Sequence, residues 1–332
     1  MDATVETLRY VMKQSTVDRW SNPEVILVIT DFLEGPSLML HATSQAKLSG
    51  ARIILVHVAR PSFLRASSDP RNPSSVPSFE SQASGTGMDQ MVSSAARRGI
   101  LCEPVLVTGA PVEQIALLVK SRGVDRVIVA SRSLRGVERL LVGSIAEELA
   151  ATLEVPVCMV GQGTHPSPNG CITPPGQILV ANSLHRGSSL CTSFASAFAE
   201  VHGARLTLLH VLDSGRIDKS QTDEARALAR QKLDACIPMQ GNEALRPTIE
   251  IREGDAATKI LDVANSLPYD FIVLGSSPHS AVSRILASRV IHRVVNEAKC
   301  PVITIKPMEL AERDVMHESF HESQFKFSRK YL

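Results

Sequence analysis

The chain predicts an α/β fold: two tandem Rossmann-like domains, each a five-stranded parallel sheet with helices on both faces. Three observations lead there. Long stretches of the first half return in the second in the same order. Short β-branched apolar runs alternate with helical patterns, and such alternation winds a parallel sheet. A Gly- and Pro-rich segment, "GQGTHPSPNGCITPPG" from Gly161 to Gly176, separates the two copies and reads as an exposed linker.

The repetition is explicit. "VILVITDFLEGPSLML" near Val25 answers "QILVANSLHRGSSLCT" near Gln177, and "GARIILVHV" from Gly50 answers "GARLTLLHV" from Gly203. "GVDRVIVASRS" from Gly123 answers "LPYDFIVLGSS" from Leu267, and "VPVCMV" from Val155 answers "CPVITI" from Cys300. The division expected is an N-terminal arm (1–23), a first domain (24–162), a linker (163–175), a second domain (176–308) and a charged tail (309–332).

In the first copy the expected strands are Val25–Thr30, Arg52–Val58, Pro104–Val107, Arg126–Ala130 and Val155–Val160. Near-continuous apolar runs of this kind belong to parallel strands covered on both faces. Ser37–Ser49 and Pro111–Arg122 read as helices, each closed near a glycine. Arg60 to Gly87, rich in Ser, Pro and Gly, reads as a mobile loop. Its counterpart after Val211 is shorter and turns helical at "DEARALARQKLDA". Before the first strand, Val5, Leu8 and Met12 stand at helical spacing, so the arm is expected to pack on a domain or a partner.

Composition excludes several function classes. Of 332 residues, 44% are hydrophobic and 21% charged, with a net charge of +1. That balance gives no pull toward nucleic acid or an anionic membrane, and only 4% aromatics gives little base-stacking surface. No apolar run approaches the ~20 residues of a membrane span, and the start lacks an apolar signal core. The six cysteines form no C-x-x-C pair, so free, mostly buried thiols and a cytoplasmic location are expected.

Open α/β sheets bind ligands outside the carboxyl ends of strands, where strand order reverses. Thr30-Asp31, His57-Val58 and Val129-Ala130 stand at such ends. Asp31 is suited to accept hydrogen bonds from a ribose or base, or to start the turn before the next helix. His57 and its repeat His210 are suited to act as a ligand or base, or, more commonly for such a position, to pack with one ring nitrogen bonded to backbone. Farther on, "VASRSLRGVERLLVGSIAEE" crowds Arg132, Arg135 and Arg139 before Gly143-Ser144, which opens a helix. A helix N-terminus suits a phosphate. Ser144-Ile145-Ala146-Glu147 equally fits a capping box, and the two roles are compatible.

The paired "ILV…D", "GA…LLHV", "G.P…I", "D.IV.GS" and "CPV" blocks, from Glu24 to Met308, resemble the universal stress protein family in tandem form. The resemblance implies ATP binding through Gly, two residues, Gly, nine residues, Gly, then Ser or Thr. Ala130, Ser133, Gly143 and Ser144 stand on those positions, with the spacing kept and the first two glycines replaced. It further implies that Asp31, beside Thr30, holds the nucleoside, that the Val58 backbone meets adenine, and that Gly143, Ser144 and Ile145 take the phosphates. Magnesium would enter only on the nucleotide, and slow ATP hydrolysis is compatible with the family although no residue stands out as a base.

In the second copy Gly275 keeps the first position, Pro278 replaces the second glycine, Ser288-Arg289 replaces Gly-Ser, and Ser183 stands in place of the acid. That site is expected to be lost.

The expected role is a nucleotide-sensing regulatory module in a stress response, working through an unidentified protein partner. One alternative is a scaffold of the same fold without a nucleotide. A remoter one is a zinc enzyme through "HESFH", His317 to His321, which matches H-E-x-x-H within the charged tail. The last strands of the two copies are short, apolar edges, expected to pair as an internal pseudo-dimer. A homodimer is the alternative use of such an edge, and each half expressed alone should self-associate through it.

Overall fold

The computed structural model describes residues 15–32, 36–59, 79–131, 144–161, 163–164, 174–185, 188–213, 215, 222–237, 246–276 and 281–306. A helix, α1, includes residues 15–21. The first domain continues β1 (Val25–Ile29), α2 (Pro36–Ser49), β2 (Arg52–Ala59), α3 (Phe79–Ala96), β3 (Cys102–Thr108), α4 (Pro111–Arg122), β4 (Arg126–Ala130), α5 (Ser144–Thr152) and β5 (Val157–Val160). The second repeats it as β6 (Gln177–Ala181), α6 (Ser188–His202), β7 (Arg205–Leu212), α7 (Thr222–Cys236), β8 (Thr248–Glu253), α8 (Ala256–Ser266), β9 (Phe271–Gly275), α9 (Ala281–Glu297) and β10 (Val302–Ile305).

The ten strands of the described residues form one sheet, in the order β3-β2-β1-β4-β5-β10-β9-β6-β7-β8. Pairing is parallel within each domain. It is antiparallel at the seam, where Ile303 of β10 stands opposite Cys158 of β5. The first-domain order thus runs backward through the second, as a local two-fold axis requires.

The apolar runs explain the burial. β1 and β4 are buried at every position. Alternate residues feed two cores, one on each face of the sheet, and both cores continue across the seam. α4 shows local encoding at its clearest. Pro111 sits in its first turn, where a missing N–H costs nothing, and Gly123 closes it with φ 62°.

Several expectations need correction. β1 ends at Ile29, one residue early. β5 begins at Val157, after Pro156, whose nitrogen has no hydrogen to donate. β3 is longer than expected, and its Pro104 is tolerated because the strand lies at the sheet edge. Residues 79–87, assigned to a mobile loop, form the start of α3. Its Gly87 has a packing reason: a Cβ there would lie 2.9 Å from the Phe32 ring. Residues 60–78 lie outside the described set, as do Val5, Leu8, Met12 and the tail. The linker is not exposed where it leaves the first domain, since Gly161 and Thr164 are buried, whereas at its far end Pro175 is buried between exposed Pro174 and Gly176.

The two sides of the seam differ in chemistry. Arg126 of β4 is fully buried, donates to Gln45 Oε1 at 2.8 Å and to the Trp20 carbonyl, and lies 5.0 Å from the ring centre of Phe198 on α6. Counted back from the matched Gly50 and Gly203, His41 and Gln45 correspond to Phe194 and Phe198, and Arg126, after the matched Asp125 and Asp270, corresponds to Phe271. A polar set thus faces an aromatic one, so the seam is not self-complementary. α1 completes it, with Trp20 buried in the core and Arg19 paired to Asp125.

His41 on α2 is held neutral, since burial pushes its pKa down to about 4 and its Nε2 is buried without a hydrogen-bond partner. Burial, with Arg126 nearby, also brings His202 down to about 4. An unfolded histidine titrates near 6.5. Between about pH 6.5 and 4 the unfolded chain therefore binds protons that the folded one does not. Stability is full above that window and falls with pH through it. For His41 the expected loss is about 2 kcal/mol by pH 5. Urea unfolding at pH 7.5 and 5.0 should show the drop, and His41→Phe should flatten it. A pH response unaltered by His41→Phe would exclude this source.

Candidate functional site

The chain leaves β1 toward β2 on one side, and β4 flanks β1 on the other. Their carboxyl ends open the crevice expected of a doubly wound sheet. Ile29 stands level with Val56 and Val129. The next residues, Thr30-Asp31, His57-Val58 and Ala130-Ser131, therefore meet on adjacent strand ends. Thr30 N–H donates to Val56 O at 3.0 Å, and Ser131 N–H to Val160 O at 2.9 Å. Val58 is half-buried beside Val107 of β3, and Ala130 is buried.

A tight turn follows β1. Phe32 N–H donates to Thr30 Oγ1 at 2.9 Å, and Phe32 takes a left-handed conformation with φ 67°. A side chain bonding two residues ahead stabilises such a turn. His57 Nδ1 lies 2.8 Å from the Thr30 carbonyl, and its ring lies 4.6 Å from that of Phe32. Bonding to a carbonyl places the proton on Nδ1. The turn recurs in the second domain, where Leu184 has φ 59° and its N–H donates to Asn182 Oδ1 at 2.7 Å. His210 Nδ1 meets Asn182 O at 2.8 Å, and burial is the main cause lowering its pKa. Both histidines are packed residues anchored to backbone, as their positions imply. At the middle of the turn Asp31 is replaced by Ser183, whose hydroxyl lies 3.0 Å from that of Ser188.

Ser133, Gly143 and the arginines 132, 135 and 139 lie outside the described residues, as does the side chain of Ser144. The backbone of Ser144 opens α5, and Ile145 packs half-buried on the core in its first turn. The second copy departs here. Its helix α9 begins at Ala281 and runs through Ser288-Arg289. At those positions the backbone N–H groups lie inside a helix, committed to its own ladder. Arg289 is exposed, and Pro278 lies outside the described residues.

α5 is also where the second domain touches this end of the first. Ser276 Oγ donates to the Ala150 carbonyl at 2.9 Å, and Lys306 Nζ to that of Thr152 at 3.3 Å. His292 Nδ1 lies 2.6 Å from Glu147 Oε1, and Asn296 Nδ2 lies 3.0 Å from His292 Nε2.

Sequence reasoning passed over two matching acids. Asp125 accepts from the N–H groups of Glu24 and Val25, and Asp270 from those of Gly176 and Gln177. Each ties the start of a domain's first strand to its fourth, and the signal was their recurrence in both copies. Among the described residues no cysteine is in a disulfide, and burial raises Cys158 to about 11 and Cys191 and Cys300 to about 12, which makes those three poor nucleophiles. Among the described residues no group of three or more His, Cys, Asp and Glu is placed to hold a metal. No described helix is long and apolar enough to cross a membrane. "HESFH" lies outside the described residues.

The family model described as universal stress protein family matches residues 23–161 and again 176–306. A universal stress protein of Methanocaldococcus jannaschii is 37% identical over 57 residues, 17% of this chain and 34% of that protein. One of Bacillus subtilis is 29% identical over 66 residues, 20% of this chain and 45% of that protein. The chain thus spans less than half the length of these curated relatives. A crystal structure of a universal stress protein from Archaeoglobus fulgidus superposes with a TM-score of 0.64 at 19% identity, covering 86% of this chain and 97% of that one. A structure from Pseudomonas aeruginosa, titled a putative universal stress protein, gives 0.58 at 19% identity, covering 87% and 95%. At such identities the likeness speaks for the fold.

Proposed function

The chain belongs to the universal stress protein family, and from that premise we propose that its first domain binds an adenine nucleotide, as a regulatory module in a cytoplasmic stress response, while its second does not. The observation that carries this reading is the start of α5 at Ser144 against the start of α9 at Ala281. A helix that begins at the Gly-Ser position offers unpaired N–H groups and a positive dipole end to a phosphate. A helix that began two turns earlier has none to offer there.

In this reading Asp31 bonds the nucleoside, the Val58 backbone meets the base, and the segment from Ala130 and Ser133 to Gly143, Ser144 and Ile145 receives the phosphates. Any magnesium comes with the nucleotide. The domain senses occupancy and passes it to a protein partner.

Calorimetry with ATP tests this. Gly143→Leu places a bulky side chain where the phosphates must approach, and binding should fall at least a hundredfold, to beyond detection. Arg289→Ala, in the second domain, should bind as wild type does. Equal affinity in wild type and Gly143→Leu would remove the first domain as the site.

A further inference from the structure

We propose that His292, supplied by the second domain, is a positioning residue for the nucleotide site of the first, acting through Glu147. The inference rests on the nucleotide reading above. Glu147 stands in the first turn of α5, three residues after Ser144. A carboxylate there suits the helix dipole when the site is empty. It is also a negative charge within one turn of the N–H groups that a phosphate would use, and like charges that close repel.

His292 engages this carboxylate from the other domain, with Nδ1 at 2.6 Å from Oε1. Asn296, one turn along α9, lies 3.0 Å from Nε2 and fixes the ring so that Nδ1–H points at Glu147. The same three side chains line a small cavity with Ser131, the residue after Ala130. The Asn296–His292–Glu147 chain therefore borders the strand end where the phosphate segment starts. Held by this donor, the carboxylate oxygen is directed toward α9 and its charge is partly offset by the imidazole. The second domain, without a nucleotide of its own, completes the electrostatics of the first.

A charge effect must grow with the number of phosphates, whereas a merely structural role of His292 would affect every ligand alike. Adenosine, AMP and ATP are titrated by calorimetry into the full chain, as wild type, His292→Ala, Glu147→Gln and the double variant. In His292→Ala adenosine binding should be unchanged, AMP slightly weaker, and ATP about three- to tenfold weaker. Glu147→Gln, alone or in the double variant, should bind ATP at least as well as wild type. An equal loss for adenosine and ATP, no loss for any ligand, or no rescue by Glu147→Gln would overturn the role of His292 while leaving the nucleotide site standing. A wild type that binds none of the three ligands would overturn the nucleotide reading itself, and this inference with it.

Discussion

A single added methyl group at Gly161 is expected to cost this protein about 3 kcal/mol or more. Gly161 follows β5 and is buried against the second domain, where a Cβ would lie 2.4 Å from the Val295 backbone carbonyl. No rotamer change relieves such a contact, because the obstacle is main chain of α9. Either β5 or α9 must shift, and both belong to the seam. Gly161→Ala should therefore lower the urea midpoint sharply, and Gly161→Val should prevent stable joining of the domains. Gly50→Ala is the informative contrast. Gly50 has φ +74°, and a Cβ added there would meet nothing within 4 Å, so only the backbone penalty of about 1 kcal/mol applies. The single tryptophan, Trp20, is buried in α1 beside the seam and reports the transition by fluorescence. If Gly161→Ala unfolds within about 0.5 kcal/mol of wild type, the domains do not need this close approach.

Arg126 is the second site of large effect. Its guanidinium is fully buried, and desolvation brings its pKa down to about 10. It bonds Gln45 and the Trp20 carbonyl, lies over Phe194 and Phe198, and keeps Nε unpartnered. Truncation to Ala leaves a cavity between the domains and strands two buried acceptors. A loss of about 3–5 kcal/mol is expected. Replacing the whole polar set is a different matter. A buried ion exchanged for apolar groups of similar volume is often neutral. Arg126→Met with Gln45→Leu should therefore recover most of the loss, leaving the Trp20 carbonyl as the one acceptor without its donor. The measurement is urea unfolding of both variants. A double variant as unstable as Arg126→Ala would mean that the charge itself holds the seam.

Much of this architecture is legible in the chain. The β-branched runs place the strands to within two or three residues, because a doubly covered strand has little freedom to be anything else. Pro111 and Gly123 bound α4 without help from tertiary structure. His57 and His210 are identifiable as packed residues because the same ring stands at the same strand end twice. What escapes depends on contacts between distant segments. Arg126 opens a strand, and its burial comes from Trp20, Gln45 and two phenylalanines of the other domain. The early start of α9 is hidden because Ser288-Arg289 falls on a family position that elsewhere opens a helix. Gly161 looks like the start of a loose linker, and only the approach of Val295 gives it a structural reason. At the candidate site the strand ends are foreseeable, whereas the engagement of Glu147 by His292 joins residues 145 positions apart.

Internal pairing of β5 with β10 also governs what the sheet can do to its neighbours. A lone domain of this kind has a bare apolar last strand, a template on which further copies could be laid. Here that template is consumed within one polypeptide, and among the described strands only β3 and β8 lie at the edges of the sheet. Neither invites extension. β3 carries Pro104, which cannot donate to an added strand, and Glu103, held between Arg52 and Arg122. β8 carries Glu250, Arg252 and Glu253, with Arg252 paired to Glu250. Such rims disfavour edge-to-edge growth. Gene duplication has thus yielded a ribbon that terminates itself, and the propensity to polymerise that accompanies any unpaired strand is spent on folding.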